Sequence, residues 1–202
     1  MPEQRIVFWE VDTQADFMLP GGALYVAGAE KTLPNLKRLV DAARSGRVFL
    51  VSSACHHSPD DPEFKTFGPH CIRNTPGARI VPEGLTETAL RVPSAAEFDW
   101  TRDLDSLRQV VFEKQVLDVF TNPQANFLVE RLGDVHYVVF GVVTEYCVGL
   151  AAKGLLQRGH RVSVVKDAIE TLDPSAGART LDELKALGAG LITTDEALAL
   201  VA

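Results

Sequence analysis

The stretch Val138-Val139-Phe140-Gly141-Val142-Val143-Thr144-Glu145-Tyr146-Cys147-Val148 restricts the fold more than any other part of the chain. Its apolar opening shows no polar alternation, so the strand it forms is buried on both faces, as strands inside parallel sheets are. Parallel strands need crossover helices, and the residues after Val143 start one. Thr144 is a good helix cap, which places Cys147 in the first turn. Free backbone N–H groups and the positive end of the helix dipole favour thiolate over thiol there. The same N–H groups can receive a developing oxyanion. Taken alone, Cys147 is more readily a packing residue, since free cysteine is among the most buried residue types. Its company elsewhere in the chain decides.

The rest of the chain repeats the strand-then-helix pattern. Residues 5–11 (RIVFWEV), 47–53 (RVFLVSS), 109–113 (QVVFE), 161–166 (RVSVVK) and 190–193 are rich in β-branched and aromatic residues and read as strands. Between them, 32–45 carries Leu33, Leu36, Leu39, Val40 and Ala43 at helical spacing, with Thr32 as cap and Gly46 as stop. Asn122-Pro123, Asp173-Pro174 and Thr194-Asp195-Glu196 open further helices. This alternation predicts a mainly parallel sheet with helices on both faces. No repeat or linker interrupts it, so residues 1–202 read as one domain. Gly188-Ala189-Gly190 precedes a strand rather than following one and is no dinucleotide fingerprint. Only residues 54–101 lose the pattern, with short strands expected near 79–81. Long irregular segments in compact domains tend to be functional, so this one is expected to wall a site.

Charge narrows the partners. A net charge of −7 without any Lys/Arg-rich run argues against nucleic acid and against an anionic membrane surface. No apolar segment approaches bilayer length. Three cysteines (Cys55, Cys71, Cys147) make no disulfide framework, and residues 1–5 lack a signal-peptide core, so a reducing cytoplasm is the expected compartment.

Sites in open parallel sheets form outside the carboxyl ends of strands. Those ends carry Asp12, residues 55–61, Lys114 and Cys147. An acid, a cation and a thiol on one edge outweigh what each says singly: Asp12 can shuttle the thiol proton, and Lys114 can lower the pKa of both neighbours.

Asp12-Thr13-Gln14-Ala15-Asp16-Phe17 resembles the Asp-x-Gln-x-Asp-Phe opening of the isochorismatase-like cysteine hydrolases. Residues 141–148 resemble their Gly-x-x-Thr-x-x-Cys-Val nucleophile turn, and Lys114 stands where their catalytic lysine is expected. Pro69-His70-Cys71 with Thr75-Pro76-Gly77-Ala78 is similar to a segment of the nicotinamidases within that group. The resemblance implies a three-layer α/β/α fold around a six-stranded parallel sheet, and a catalytic triad of Asp12, Lys114 and Cys147. It also implies a cis peptide between Val142 and Val143, and an oxyanion hole from the backbone N–H groups of Val143 and Cys147. Phe17 and Phe67 match positions lining the ring pocket, and Tyr146 is placed to close its mouth.

The same resemblance raises a metal. Nicotinamidases hold a divalent ion through an Asp-x-His pair and two further histidines. This sequence keeps His57 and His70, puts Cys55 in the aspartate position and Asp61 in a histidine position, and offers His56 if the register shifts by one. Cys, His, Asp and His suit zinc or a similar ion, yet two ligands of changed type tilt the expectation towards a metal-free site. A Cys55–Cys71 disulfide does not fit a reducing compartment.

The expected function is a cysteine amidohydrolase deaminating a small planar carboxamide through a thioester, with nicotinamide the first candidate. A metal-independent relative acting on another amide or carbamoyl compound is the alternative, and a non-catalytic binding protein on the same fold is a third. Isochorismate cleavage fits less well, because relatives with that chemistry lack the nucleophilic cysteine. The family's habit implies a homo-oligomer.

Overall fold

β1 (Arg5–Val11) lies at the middle of the sheet, paired in parallel with β2 (Phe49–Cys55) on one side and β5 (Val135–Val142) on the other. The computed structural model describes residues 4–101 and 106–202; residues 1–3, part of the stretch expected to lack a signal core, fall outside that range. β3 (Ala89–Val92), β4 (Gln109–Lys114), β6 (Arg161–Glu170) and β7 (Gly190–Ile192) complete a seven-stranded sheet. The order is β3-β4-β2-β1-β5-β6-β7 and every pairing is parallel. No helix among the described residues is long and apolar enough to cross a membrane.

The expected six strands are therefore seven. The additional one, β3, pairs its Ala89–Val92 with Gln109–Phe112 at the sheet's edge. Only Val92 of its four residues is buried, so no alternating pattern marks it in the sequence. Near residues 79–81, where short strands are expected, Ile80 makes only a lone antiparallel bridge to Gln14. β2 also begins and ends two residues later than its apolar pattern suggests, carrying Cys55 onto the strand.

Period-two side-chain alternation sorts the core into two layers. Val7, Trp9, Phe112, Tyr137, Val139 and Val164 face one side of the sheet, where α2 (Pro123–Leu132) and α3 (Gly149–Gln157) bury Leu128, Val129, Ala152 and Leu155. Phe8, Leu50, Val138, Phe140 and Val165 face the other, covered by α1 (Leu33–Arg44) through Leu36, Leu39 and Val40. α4 (Pro174–Ala186) adds Leu184 to the first layer and α5 (Thr194–Ala199) adds Ala197 to the second. Asn122 and Asp173 cap their helices as expected, whereas Thr32 makes no side-chain cap bond and the last helix is capped one residue earlier than expected, by Thr193. Asn122 accepts from Gln124 N–H, Asp173 from Ser175 N–H, and Thr193 forms a capping box with Glu196.

Thr144 departs from expectation. The helix cap is Val143, and Thr144 is the first residue of a π-helical turn, Thr144–Val148, that leads into α3. Its hydroxyl donates to the Glu170 carbonyl at 2.8 Å, tying the turn to the end of β6. Single π turns inside helices recur at functional sites. Cys147 still falls in the opening turn, as predicted.

Gly141 explains how this turn meets β1. At φ +118 it adopts a conformation open to glycine, and a Cβ there would lie 2.1 Å from the Val11 carbonyl oxygen. Only a residue without a side chain lets β5 pass this close to the end of β1. The Val142–Val143 peptide that follows is cis, as the resemblance implied.

Candidate active site

Asp12 leaves β1 at φ +50, a left-handed conformation that Asp tolerates better than most residues. Its neighbours hold the surrounding loops in place. Gln14 donates to the carbonyls of Cys55 and Ala78, both at 2.8 Å, and accepts from Cys55 N–H at 2.6 Å. Asp16 accepts from Cys71 N–H at 2.7 Å and from Ala23 N–H at 3.0 Å. The polar residues of the Asp-x-Gln-x-Asp run thus clamp β2 and the 71–78 loop around the end of β1.

The three predicted residues meet there. The Lys114 ammonium lies 2.8 Å from Asp12 Oδ2, 3.5 Å from Cys147 Sγ and 3.2 Å from the Val116 carbonyl. Asp12 Oδ1 also accepts from the Ser53 hydroxyl at 2.7 Å. Asp12, Ser53, Lys114 and Cys147 are all buried. A buried ion pair needs such additional partners, since desolvation of both charges is costly.

Cys55 joins them, its sulfur 3.3 Å from Lys114 Nζ and 3.9 Å from Asp12 Oδ2. The sequence assigns Cys55 only to a metal and gives no sign of Ser53. The alternation along β2 points both side chains toward the β1 end, a signal visible only once the strand register is known.

Electrostatics correct one expectation. Burial alone would lower the Lys114 pKa, but Asp12 and the two thiols raise it well above the ordinary value, so it is a fixed cation. Cys147 does not rest as thiolate. Burial pushes its thiol well above the usual range; Lys114 opposes this, while Asp12 and Cys55 add to it. Burial likewise pushes Cys55 to about 12, against the pull of Lys114. The helix-end effect expected at Cys147 is smaller than the cost of removing a thiolate from water.

Phe17, Phe67 and Tyr146 line one pocket with Cys147, with Leu24, Val26, Leu117, Val142, Val143 and Leu172 completing an apolar wall. Phe67 and Tyr146 touch edge to face at 5.6 Å. The pocket is partly open to solvent and its interior is small, about 30 Å³. Glu63 also lines it, a residue without a signal in the sequence; burial raises its carboxyl while Lys114 and His70 draw it down.

The proposed metal ligands separate into two overlapping groups. Cys55, His57 and His70 have donor atoms within 4.8 Å of one another, and His57, Asp61 and Glu63 form a second such trio. His57 is fully buried with neither ring nitrogen hydrogen-bonded; its Nδ1 lies 3.0 Å from Asp61 Oδ2, in ion-pair range but misaligned for a hydrogen bond. His70 Nδ1 is 2.8 Å from the Gly68 carbonyl, and burial lowers its pKa, so the ring is neutral with Nε2 as its lone-pair nitrogen. That second-sphere contact is typical of metal-binding histidine. The donor set therefore fits a zinc-like ion. His56 drops out, since its Nδ1 sits 3.0 Å from Glu113 instead. All three cysteines are free.

A buried carboxylate, ammonium and thiol at the carboxyl edge of a parallel sheet define a cysteine-centred α/β site. The chain belongs to the isochorismatase family: the model of the isochorismatase domain matches residues 7–92 and 86–196. It is similar to the nicotinamidase of Escherichia coli, 25% identical over 218 residues and covering 96% of each chain. It is also similar to the nicotinamidase/pyrazinamidase of Mycobacterium tuberculosis, 26% identical over 188 residues, covering 90% of this chain and 95% of that one. Among solved structures, the pyrazinamidase of Pyrococcus horikoshii in complex with zinc superposes with a TM-score of 0.74 at 25% identity, covering 95% of this chain and 99% of the other.

Proposed function

We infer that this chain is an amide hydrolase that cleaves the C–N bond of a small planar carboxamide, with nicotinamide the first candidate. One observation carries the reading: Lys114 bridges the Asp12 carboxylate and the Cys147 thiol beside an apolar, aromatic-walled space. Relatives whose names are nicotinamidase and pyrazinamidase support the amide class. The chain acts as a single domain, since one sheet gathers strands from both its ends.

Cys147 attacks the carbonyl carbon as its proton moves to Asp12, so no free thiolate is required at rest. The carbonyl electron pair becomes an oxyanion received by the N–H groups of Val143 and Cys147. Lys114 holds Asp12 in place and offsets the charge that develops on sulfur. Asp12 then returns its proton to the nitrogen, ammonia leaves, and a thioester remains. Water, losing a proton to Asp12, adds to the thioester; collapse expels the sulfur, which recovers the proton, and releases the acid. With an interior of about 30 Å³, ring binding needs part of the wall to move. Phe67 ends a one-turn helix, Phe64–Phe67, within the long connection after β2, and Leu172 lies in the short one after β6, both outside the sheet strands.

Cys55, His57 and His70, with Asp61 or Glu63, are the residues that would hold a divalent ion. When bound, such an ion supplies a Lewis acid beside the pocket. The 3.3 Å contact between Cys55 and Lys114 favours a second reading, in which Cys55 serves the triad and the enzyme is a metal-independent relative acting on another carbamoyl compound. Metal content of protein isolated without added salts, native against His57→Ala, separates the two.

The main test is ammonia release from a panel of carboxamides. Cys147→Ala is expected to lose activity by more than about a thousandfold on whichever substrate the native chain turns over. Native rates in that variant would end the proposal.

A further inference from the structure

At the amino edge of the sheet, opposite the site described above, an open groove of about 760 Å³ is lined by Arg5, Arg47, Arg108, Arg161 and His136. We propose that this groove is a second ligand site that takes a small molecule bearing two or more adjacent phosphate groups.

Strand order arranges these cations. Arg5 and Arg161 are the first residues of β1 and β6, Arg108 directly precedes β4, Arg47 lies two residues before β2, and His136 is near the start of β5. Those five strands are consecutive neighbours, β4-β2-β1-β5-β6. With neighbouring strands about 4.8 Å apart, the row spans roughly 20 Å. Each guanidinium is a planar fork suited to two phosphate oxygens.

Among the described residues, none of the four arginines has a carboxylate within ion-pair range; the arginines that do are Arg38, Arg44 and Arg91. In a chain of net charge −7, four such arginines on one edge concentrate positive charge against the overall balance of the chain. Two of them rest on fixed supports. The Arg108 guanidinium lies over Gly46, where an added Cβ would stand 3.1 Å from its Cζ, and Arg5 lies 6.0 Å from the Phe49 ring centre. Arg161 also depresses the neighbouring His136, after burial, to a pKa of about 4, so that ring is a neutral wall.

Size and charge select the class of ligand. A single carboxylate would engage one fork of four. A nucleic acid strand would extend beyond the groove over a chain of net charge −7, whereas the volume falls in the range of small-molecule sites. Ile6, Val48, Leu107 and Leu200 give the groove apolar wall for an organic group attached to the phosphates.

Calorimetric titration of the full chain with inorganic pyrophosphate and, separately, with ADP tests this. The expected result is saturable one-to-one binding, weakened by about tenfold or more in Arg108→Gln/Arg161→Gln, where two bidentate anchors are gone. Both residues are exposed, so the variant keeps native melting; Arg38→Gln, whose partner is Asp195, is the control expected to bind as the native chain does. Tighter binding of ADP than of pyrophosphate supports a nucleotide, and equal binding supports the phosphates alone. Absence of saturable binding by either, equal affinity in the double variant, or tighter binding of a DNA oligonucleotide would overturn the proposal. None of these outcomes depends on the amidase reading.

Discussion

At the carboxyl edge of the sheet Lys114 is fully enclosed and shared among Asp12, Cys55, Cys147 and a carbonyl, whereas at the amino edge Arg47, Arg108 and Arg161 are exposed and have no carboxylate partner among the described residues. Connection length makes the difference. The chain leaving β1 and β2 runs through long segments that fold back over the strand ends and are clamped by Gln14 and Asp16. The chain entering β2, β5 and β6 arrives through short turns at Gly46, Gly133 and Gly159, which leave their edge open. One edge is a low-dielectric setting in which a charge must be paired. The other remains in water, where a charge can stand free.

The largest effect that contrast predicts comes from taking the cation away. Lys114→Met leaves Asp12 buried with the Ser53 hydroxyl and the weakly placed thiols, and is expected to cost about 3–5 kcal/mol of stability. Turnover should vanish with it. Neutralising both partners, in Asp12→Asn/Lys114→Met, is expected to recover much of the stability and none of the activity. Denaturant titrations of the three proteins measure this. If Lys114→Met melted as the native chain does, the enclosed edge would not differ from the open one.

Glu10 gives an intermediate case, one residue before the end of β1 and fully buried without a cation in contact. It accepts from Thr13 at 2.5 Å, Ser52 at 2.6 Å and Gln109 at 3.3 Å. Burial raises its pKa from 4.5 to about 7, with the Ser52 and Thr13 hydroxyls and Arg44 opposing. A raised carboxyl pKa means that the fold prefers the neutral form. The stability it contributes is complete below pH 4.5 and is lost as pH rises through about 7. Glu10→Gln, permanently neutral, should therefore be more stable than the native chain at pH 8 by roughly 1–3 kcal/mol. The gap should close towards pH 5. A gap of constant size across that range would mean that Glu10 does not titrate between the two values.

Much of the enclosed edge is legible in the sequence because the chemistry sits at strand ends. Asp12, Lys114 and Cys147 each follow an apolar run, and a parallel sheet brings such ends to one edge. The aromatic wall of Phe17, Phe67 and Tyr146 comes from resemblance, not periodicity. What escapes depends on register or on a balance of energies. Ser53 and the second role of Cys55 need the pairing of β2 with β4, where Cys55 lies opposite Lys114. β3 gives no signal because an edge strand with one buried residue has little pattern to show. The protonation of Cys147 runs against the sequence reading because a helix end is visible in sequence and the depth of burial is not. The arginines at the amino edge escape because they are scattered between residues 5 and 161 and form no charge run.

The smallest expected effect lies at that open edge. Arg161→Gln removes an exposed guanidinium that has no carboxylate partner among the described residues, so no buried charge is left behind and stability should change by no more than about 0.5 kcal/mol. Its trace should appear on His136, whose Nε2 shares a hydrogen bond of 2.8 Å with the Ser163 hydroxyl. Burial first, then Arg161, lowers this histidine from 6.5 to about 4. A depressed histidine contributes stability above pH 6.5 that is lost as pH falls through about 4. Without Arg161 the imidazole should titrate slightly higher, read by its ring proton shifts, and the acid limb of stability should soften accordingly. A large drop in melting temperature on this substitution would mean that Arg161 is enclosed and paired as Lys114 is, and the two edges would then obey one rule.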